Sequence, residues 1–376
     1  MDKMFVSPDT YVQGSGLLEH SATYLEKLGH HVLIMADETV WQIVGEDFAS
    51  YLTSHDFTVE KVIFNGEASV QEIERITEIA KETKVEVVVG LGGGKTIDTS
   101  KGIALAAKTK LVIAPTTASA DAPTAGLSVL YTEDGVFDQY MFYPKHSDLV
   151  LLDTKVIANA PVRMLISGIS DAMATNIEAK ATAMKHGVTM GNGSATFAGR
   201  AIAAECERVL WDYAYEAVEA NKIKVETPAL DAIVEANTLL SGLGFENAGL
   251  AAAHAIHNGF TAVKGEIHHL THGEKVAFGA MVELVLENTP HDVLDKYIEF
   301  WLTLGLPITM QDTHLDQLSE AELLQIGELA TAPDETMKNM PFTVTPEMVV
   351  NAMKAATAYV EAYRRSHDVK PIFTRA

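Results

Sequence analysis

The chain has 376 residues, about twice the size of a typical domain, which predicts two domains. Hydrophobic residues make up 47% of the chain and charged residues 21%, a composition that excludes a disordered protein. The formal net charge of -23 offers no basic face for nucleic-acid binding, and it repels anionic ligands at long range. Such a charge can also serve solubility alone, so it favours a neutral substrate only weakly.

The sequence shows no targeting or membrane segment. Residues 1–8 carry neither the basic start nor the long apolar stretch of a signal peptide. No run approaches the roughly 18 to 20 uninterrupted apolar residues that span a bilayer. The single cysteine, Cys206, excludes an internal disulfide, and its helix-like surroundings favour a core residue over a nucleophile. We therefore predict a cytoplasmic protein without membrane contact.

Short apolar runs alternate with segments of helical spacing over the first 155 residues or so. Segment 69–83, for example, has helical spacing through Val70, Ile73, Ile76 and Ile79. Apolar runs separated by amphipathic helices indicate a parallel sheet that is covered on both faces. The predicted strands are 31–36, 58–64, 85–89, 110–115 and 148–153.

The pattern changes at Pro161, a residue that suits the first position of a helix. Beyond it, Ala, Leu and Glu dominate and β-branched runs become scarce. The predicted helices include 161–180, 199–220, 228–240, 249–260 and 274–287. We therefore predict a Rossmann-like α/β domain over residues 1–160 and an all-α domain over residues 161–376.

A glycine-rich segment follows the predicted strand 85–89, where the spacing changes from strand to helix. Bare backbone N–H groups at a helix N-terminus suit a pyrophosphate, and glycine lets that group approach the backbone. A Walker A loop would need glycine in place of Val89, and a G-x-G-x-x-G fingerprint would need glycine in place of Lys95. The segment alone favours phosphate binding, with a purely structural turn as the alternative.

Asp37 ends the predicted strand 31–36 and offers a carboxylate to the ribose hydroxyls of an adenine nucleotide. A carboxylate there would repel a 2′-phosphate, which favours NAD over NADP. From this residue alone, an exposed turn aspartate is the simpler interpretation.

Five of the 14 histidines lie between positions 254 and 272: His254, His257, His268, His269 and His272. The first two fall on a small, apolar, helical segment, where burying an imidazole is costly unless something satisfies it. Catalytic zinc takes three protein ligands and keeps a fourth position open, so two histidines and a distant carboxylate would suffice. Spacing alone selects neither the histidines nor the carboxylate.

These segments together resemble the glycerol dehydrogenase family, within the iron-containing (group III) alcohol dehydrogenase superfamily. The resemblance runs essentially end to end and is most specific in segments 92–98, 114–123, 168–172, 249–259 and 268–278. It implies a dehydroquinate synthase-like architecture, NAD as cofactor, a bound metal and a small neutral polyol as substrate. Because relatives assemble as octamers, it also implies a homo-oligomer.

The resemblance implies roles for individual residues. Those that match the metal ligands are Asp171, His254 and His272. Those that match the cofactor-binding segments are Asp37, Gly92, Gly93, Gly94, Lys95, Asp98, Thr116, Thr117, Ser119, Ala125, Leu127 and Tyr131. Two more match substrate contacts, since Asp121 corresponds to a residue that touches the triol and Phe245 to a wall of the pocket. The expected catalytic residues are the three ligands and Asp121.

Two positions depart from the family pattern. Iron-using members carry a histidine four residues after the metal-binding aspartate, where this chain has Thr175. Loss of that fourth ligand favours zinc over iron. Ala125 stands where a serine is common, so the hydrogen bond of that serine to the nucleotide is missing. The predicted cofactors are therefore NAD and Zn²⁺.

The resemblance predicts NAD-dependent oxidation of glycerol and related vicinal diols to the ketone, here dihydroxyacetone. Zinc would bind two neighbouring hydroxyls and lower the pKa of one, so that hydride passes from C2 of a zinc-bound alkoxide to NAD.

Two alternatives stay open at this point. A phosphate-substrate relative, such as a glycerol-1-phosphate dehydrogenase or a dehydroquinate synthase-like lyase, would need Arg or Lys near the metal residues. Segment 249–274 has only Lys264 in its interior, which disfavours that alternative. A non-catalytic metal- or nucleotide-binding protein is disfavoured because the glycine turn and all three matched ligands are present.

Overall fold

The computed structural model describes residues 1–133, 135 and 137–375. The chain divides into two units. The sheet unit comprises Ser7–Pro161 and Ala220–Gly242, and the helical unit comprises Met1–Val6, Val162–Glu219 and Leu243–Ala376. Near the boundary predicted at residue 160, the chain leaves the sheet unit after Pro161 and returns to the helical unit at Val162. A later segment, Ala220–Gly242, belongs to the sheet unit again.

The strands all lie in the sheet unit. They are β1 (Tyr11–Gly14), β2 (His31–Ala36), β3 (Thr58–Ile63), β4 (Val87–Gly92), β5 (Lys110–Pro115), β6 (Leu127–Tyr131), β7 (Phe137–Phe142) and β8 (Leu149–Asp153). Six of them form one sheet in the order β1-β8-β5-β4-β2-β3, in which every neighbouring pair is parallel. The remaining two, β6 and β7, form an antiparallel pair.

The helices follow in chain order. They are α1 (Ala22–Leu25), α2 (Glu38–Val40), α3 (Glu46–Ser54), α4 (Val70–Thr83), α5 (Gly94–Ala107), α6 (Thr154–Asn159), α7 (Val162–Lys185), α8 (Phe197–Lys222), α9 (Pro228–Glu235), α10 (Ser241–Ala248), α11 (Ala252–Gly259), α12 (His272–Leu286), α13 (His291–Thr303), α14 (Glu320–Ala330) and α15 (Pro346–Ser366). The predicted helix 228–240 is α9 followed by a π-helical turn over Ala236–Leu240. Among the described residues, we find no helix with the length and apolar character needed to cross a membrane.

Both faces of the parallel sheet are buried, because successive strand side chains point to opposite sides. In β2, Val32 and Ile34 pack in one apolar cluster with Phe48 of α3. The alternating residues Leu33 and Met35 pack in a second cluster that contains residues of α4 and α5. This arrangement confirms the predicted α/β sheet that is covered on both faces, with a large helical part beside it in sequence.

The strand order reverses between β2 and β4, since β3 pairs with one side of β2 and β4 with the other. Open α/β sheets bind ligands outside the carboxyl ends of their strands at such a reversal. Asp37 follows β2 there, and Gly93 follows β4. Thr116 follows β5, which pairs with the opposite side of β4. The topology therefore gathers three predicted cofactor-binding segments at one edge of the sheet.

Two glycines let α12 lie close to its neighbours in the helical unit. A Cβ on Gly273 would stand 1.8 Å from the backbone oxygen of Ser167 in α7. A Cβ on Gly279 would stand 2.3 Å from the backbone oxygen of Ala253 in α11. Both distances are shorter than any real Cβ contact, so only glycine fits. This packing brings the first turns of α11 and α12 against the middle of α7.

Candidate functional site

The start of α5 is an open helix N-terminus. Gly93 is its N-cap residue and supplies no side-chain cap. A Cβ on Gly94 would meet no atom within 4 Å, so there is free space in front of the first turn. Unpaired N–H groups and the positive end of the helix dipole favour an anion in such a space.

The residues around this turn are held by contacts inside the sheet unit. The N–H of Thr116 donates to the carbonyl oxygen of Gly92 (3.1 Å), which ties the end of β5 to the turn. The hydroxyl oxygens of Thr117 and Ser119 lie 3.2 Å apart. Lys95 forms an ion pair with Glu67 (Nζ to Oε2, 2.7 Å). The turn is therefore a pre-formed cradle built mainly from backbone.

The carboxylate of Asp98 is buried and serves the loop that follows β5. Its two oxygens accept from Nζ of Lys101 (3.2 Å) and from the N–H of Val129 (3.1 Å). Lys101 also donates to the carbonyl oxygens of Ala122 (2.8 Å) and Leu127 (2.7 Å). Burial raises the pKa of Asp98 although Lys101 opposes the shift. Asp98 therefore acts through this loop, and its predicted cofactor contact stays a prediction.

Asp37 is the N-cap residue of α2. Its Oδ1 accepts the N–H of Val40 at 2.9 Å. The side chain is half-buried at the carboxyl end of β2, beside the glycine turn in the strand order. One carboxylate oxygen therefore caps a helix, and the other is available for the predicted ribose contact.

The other predicted contacts belong to both units. In the sheet unit, Ser241 Oγ donates to Asp121 Oδ2 (3.2 Å), Ala125 is buried, and Leu127 and Tyr131 are the end residues of β6. In the helical unit, Phe245 is a buried residue of α10. Their predicted roles toward cofactor and substrate remain predictions.

The three predicted metal ligands lie close together in the helical unit. Asp171 lies in the middle of α7, His254 in the first turn of α11, and His272 is the first residue of α12. The Nε2 atoms of His254 and His272 lie 3.3 Å and 3.0 Å from Asp171 Oδ1. One ligand atom from each residue lies within 4.8 Å of the other two. Residues 101 positions apart in sequence therefore form one compact donor set.

The donor set fits a cation better than it fits an empty core. Asp171 is 1% exposed, and its Oδ2 has no hydrogen-bond partner among the described residues. A buried carboxylate oxygen without a partner is costly, and a bound cation would satisfy it. Two imidazoles and one carboxylate match a three-ligand catalytic metal site with an open fourth position.

The buried ligands shift each other's pKa values strongly. Burial opposes the charged form of His254, but the carboxylates of Glu178 and Asp171 outweigh it and raise the pKa of His254 well above its usual value. Burial likewise opposes ionisation of Asp171, while His272 and His254 lower its pKa. The carboxylates therefore favour a positive charge at this position, which a bound cation would supply while the imidazoles that hold it stay neutral.

The remaining histidines of the 254–272 cluster differ in position. The ring of His257 lies 4.5 Å from that of His272, and its buried Nε2 has no partner among the described residues. Burial and the neighbouring His272 lower its pKa well below the usual value. His268 Nε2 lies 2.7 Å from the carbonyl oxygen of Val263, and the exposed His269 pairs with Glu266. Of these three histidines, only His257 therefore lies beside a predicted ligand in the described contacts.

Two features of the site were missed from the sequence. Glu178 is fully buried on α7, and its Oε2 lies 2.5 Å from Nδ1 of His254. Its spacing of seven residues from Asp171, which places both on one helix face, was a usable signal. Two cations also lie near the cluster outside the interval 249–274: Arg163, which is ion-paired with Glu274 (2.7 Å), and Lys275, whose pKa burial lowers.

The chain is similar to known proteins over nearly its whole length. The family model for iron-containing alcohol dehydrogenases matches residues 8–154. A glycerol dehydrogenase from Citrobacter freundii is 43% identical over 356 residues, which cover 95% of this chain and 97% of that protein. A glycolaldehyde reductase from Halobacterium salinarum is 42% identical over 368 residues, which cover 98% of this chain and 100% of that protein.

A solved structure shares the fold as well. The crystal structure of glycerol dehydrogenase from Schizosaccharomyces pombe matches with a TM-score of 0.96 at 41% identity, over 99% of this chain and 95% of that chain. Identity of this size over nearly full length confirms the family predicted from the sequence. The chain belongs to the iron-containing alcohol dehydrogenase family and is an oxidoreductase.

Proposed function

We propose that this protein oxidises glycerol to dihydroxyacetone with NAD, using a zinc ion held by Asp171, His254 and His272. The observation that carries the proposal is this donor set with its unpartnered carboxylate oxygen. It occurs in a chain that is 43% identical to a glycerol dehydrogenase. The open start of α5 supports NAD, because it offers backbone N–H groups to a pyrophosphate. The family resemblance also supports a homo-oligomer.

Zinc is proposed over iron because the chain offers three ligands. Thr175 stands one helical turn after Asp171, where iron-using members carry a histidine. The side chain of Thr175 is fully buried and packs close to Gly244. Three ligands with an open position are typical of catalytic zinc. Two histidines and one carboxylate also suit ferrous iron, so the metal content must be measured.

The metal and NAD would supply different parts of the reaction. The metal held by Asp171, His254 and His272 would supply a Lewis acid for a substrate hydroxyl, and NAD would supply the hydride acceptor. Glycerol oxidation then removes a hydride from C2 and the hydroxyl proton from the attached oxygen.

The chain itself binds and orients these groups. The carboxylate of Asp171, buried with the two imidazoles, balances the charge of a cation and fixes where it sits. The backbone at the start of α5 holds the pyrophosphate, and Asp37 accepts from the ribose hydroxyls. Asp121 and Phe245 are proposed as substrate contacts on the family resemblance.

A neutral vicinal diol fits this proposal better than a phosphate ester. The net charge of -23 repels an anion at long range. Arg163 is already ion-paired with Glu274, and the half-buried Lys275 has a pKa that burial lowers. The similarity to a glycolaldehyde reductase is consistent with the same chemistry, because reducing glycolaldehyde also yields a vicinal diol.

The test compares kcat/KM for glycerol, 1,2-propanediol, ethanol, 2-propanol and glycerol 3-phosphate with NAD from pH 6 to 10. Losing one of two hydroxyl contacts should cost about 2 to 4 kcal/mol, so simple alcohols should react roughly 30- to 1,000-fold more slowly. Oxidation should accelerate toward alkaline pH, because the hydroxyl proton must leave.

Each outcome decides between candidates. Equal kcat/KM values for ethanol and glycerol would show that recognition of two hydroxyls is not the source of specificity. Preference for glycerol 3-phosphate would identify the phosphate-substrate alternative instead. No turnover with any alcohol, together with bound metal and NAD, would leave a binding protein that kept the fold.

A further inference from the structure

Glu178 contacts the segment around His254 at three points. It lies on α7, and its side chain is fully buried. Its Oε2 lies 2.5 Å from Nδ1 of His254. Its Oε1 accepts the backbone N–H groups of Ala251 (2.9 Å) and of His254 itself (3.0 Å). One carboxylate therefore holds both the backbone and the ring of a single histidine.

This contact selects one form of the imidazole. A carboxylate oxygen accepts hydrogen bonds, so the proton of the neutral ring lies on Nδ1. The lone pair is then on Nε2, which faces Asp171 Oδ1 at 3.3 Å. A metal ligand needs that orientation, and a carboxylate on the second ring nitrogen is the usual means of fixing it.

A second buried carboxylate at the same helix start provides a comparison. Glu283 of α12 is fully buried, and its Oε2 accepts the N–H of Ala253 at 2.6 Å. Burial and the nearby Glu178 raise the pKa of Glu283 well above its usual range, which favours its protonated form. The hydrogen bonds of Glu283 in the described chain include no histidine nitrogen. Glu178 and Glu283 thus support the same helix start, but only Glu178 touches a candidate ligand.

We propose that Glu178 is a positioning residue that fixes the ring orientation and the Nδ1–H tautomer of His254, and thereby sets the affinity of the site for its metal. The inference rests on the proposed metal site and assigns a role to a residue outside the ligand set.

The variant Glu178→Gln separates the tautomer from the fold. The carboxamide oxygen of glutamine can still accept from the backbone of Ala251 and His254. Its NH2 group would then face Nδ1 and donate to it, which moves the ring proton to Nε2, where the metal must bind. We expect zinc affinity to fall about 10- to 100-fold. The matched variant Glu283→Gln makes the same substitution at the same helix start, keeps an acceptor for the N–H of Ala253, and should bind zinc as the unmodified protein does.

The experiment measures zinc dissociation constants of metal-stripped, full-length protein by competition with a chromogenic chelator at pH 7.5. Thermal unfolding of the stripped proteins shows whether the folds are equal. Weaker zinc binding in Glu178→Gln alone, with equal unfolding temperatures, supports the proposal. Equal zinc affinity in all three proteins overturns it, and so does an equal loss in both variants or an unmodified protein that binds no zinc.

Two further readouts keep the proposal distinct from the proposed function. Zinc affinity is measured without turnover, so an unmodified protein that is inactive on glycerol but shows the expected affinity pattern would overturn the function alone. If Glu178→Gln does not fold, a crystal structure of the zinc-loaded unmodified protein decides. Zinc on Nε2 of His254 with Nδ1 bonded to Glu178 supports the role, and zinc on Nδ1 overturns it.

Discussion

The helix starts at the two candidate sites, α5 in the sheet unit and α11 and α12 in the helical unit, differ in how their backbone N–H groups are satisfied. The start of α5 has no side-chain cap and faces free space. The start of α12 carries a complete capping box between Thr271 and Glu274. The start of α11 is filled by two buried carboxylates, Glu178 and Glu283. The start of α5 leaves backbone N–H groups available, whereas carboxylates accept N–H groups at the starts of α11 and α12.

This difference decides which kind of ion each of these helix starts can hold. Free N–H groups at the positive end of a helix dipole attract an anion such as a pyrophosphate. Where acids already occupy the N–H groups, the local charge is negative, and the side chains of the first turn remain to bind a cation. His254 and His272 are such side chains. The comparison therefore predicts that backbone changes damage the first site and side-chain changes the second.

The largest expected effect is that of His254→Ala in the helical unit. Zinc sites bind with about 10 to 16 kcal/mol, so losing one of three ligands should weaken binding by roughly 1,000-fold or more. Elemental analysis should show about one zinc per chain in the unmodified protein and almost none in the variant, which should not oxidise glycerol.

The matched control is His269→Ala, because the side chain of His269 is exposed and pairs only with Glu266 in the described contacts. It should keep both zinc and activity. Stoichiometric iron in the unmodified protein would contradict the zinc assignment, although the ligand set could still hold. Zinc retained by His254→Ala would remove His254 from the site.

Much of the sheet unit could be predicted because its information is local. Five of the six parallel strands follow from apolar runs such as 31–36 and 110–115. The sixth, β1, has four half-buried residues and no apolar run. It lies at the edge of the sheet, where it pairs with β8 alone, so it needs less apolar surface. Strand β4 extends to Gly92, beyond the predicted end at 89, because residues 90–92 continue the pairing with β5. The antiparallel pair of β6 and β7 was not predicted.

The candidate metal site needed more than local pattern. The histidine cluster predicted the kind of site, but only the family resemblance selected Asp171, which lies 101 residues before His272. The close approach at Gly273 and Gly279 depends on helix packing that no local window contains. Glu178 could have been noticed from its spacing to Asp171, but its contact with His254 joins residues 76 positions apart, which no local window contains.

A moderate effect is expected when the backbone cradle of the sheet unit is blocked. Gly94→Ala adds a methyl group that meets no protein atom within 4 Å, so folding is undisturbed and helix propensity improves. The methyl group occupies space that the pyrophosphate would use, and we expect the KM for NAD to rise about 10-fold or more, equivalent to about 1.4 kcal/mol. Zinc content should not change.

The matched control is Gly14→Ala in β1, where an added Cβ also meets nothing within 4 Å. It should leave the KM for NAD unaltered. The same KM in Gly94→Ala and the unmodified enzyme would place the cofactor elsewhere and would end the contrast between an anion-binding and a cation-binding helix start.

The smallest expected effect concerns a side chain within the backbone-built site. Asp37 caps α2 through the N–H of Val40, and we propose that its second oxygen accepts from a ribose hydroxyl. Asp37→Ser keeps a good N-cap residue, so the unfolding temperature should stay within a degree or two. The variant removes the charge that repels a 2′-phosphate, so the preference for NAD over NADP should fall on the order of 10-fold. The ratio of kcat/KM for the two cofactors measures this directly. Equal use of NAD and NADP by the unmodified enzyme would show that Asp37 only caps a helix. A lower unfolding temperature with unchanged cofactor preference would lead to the same conclusion, and the sheet unit would then recognise its nucleotide through backbone alone.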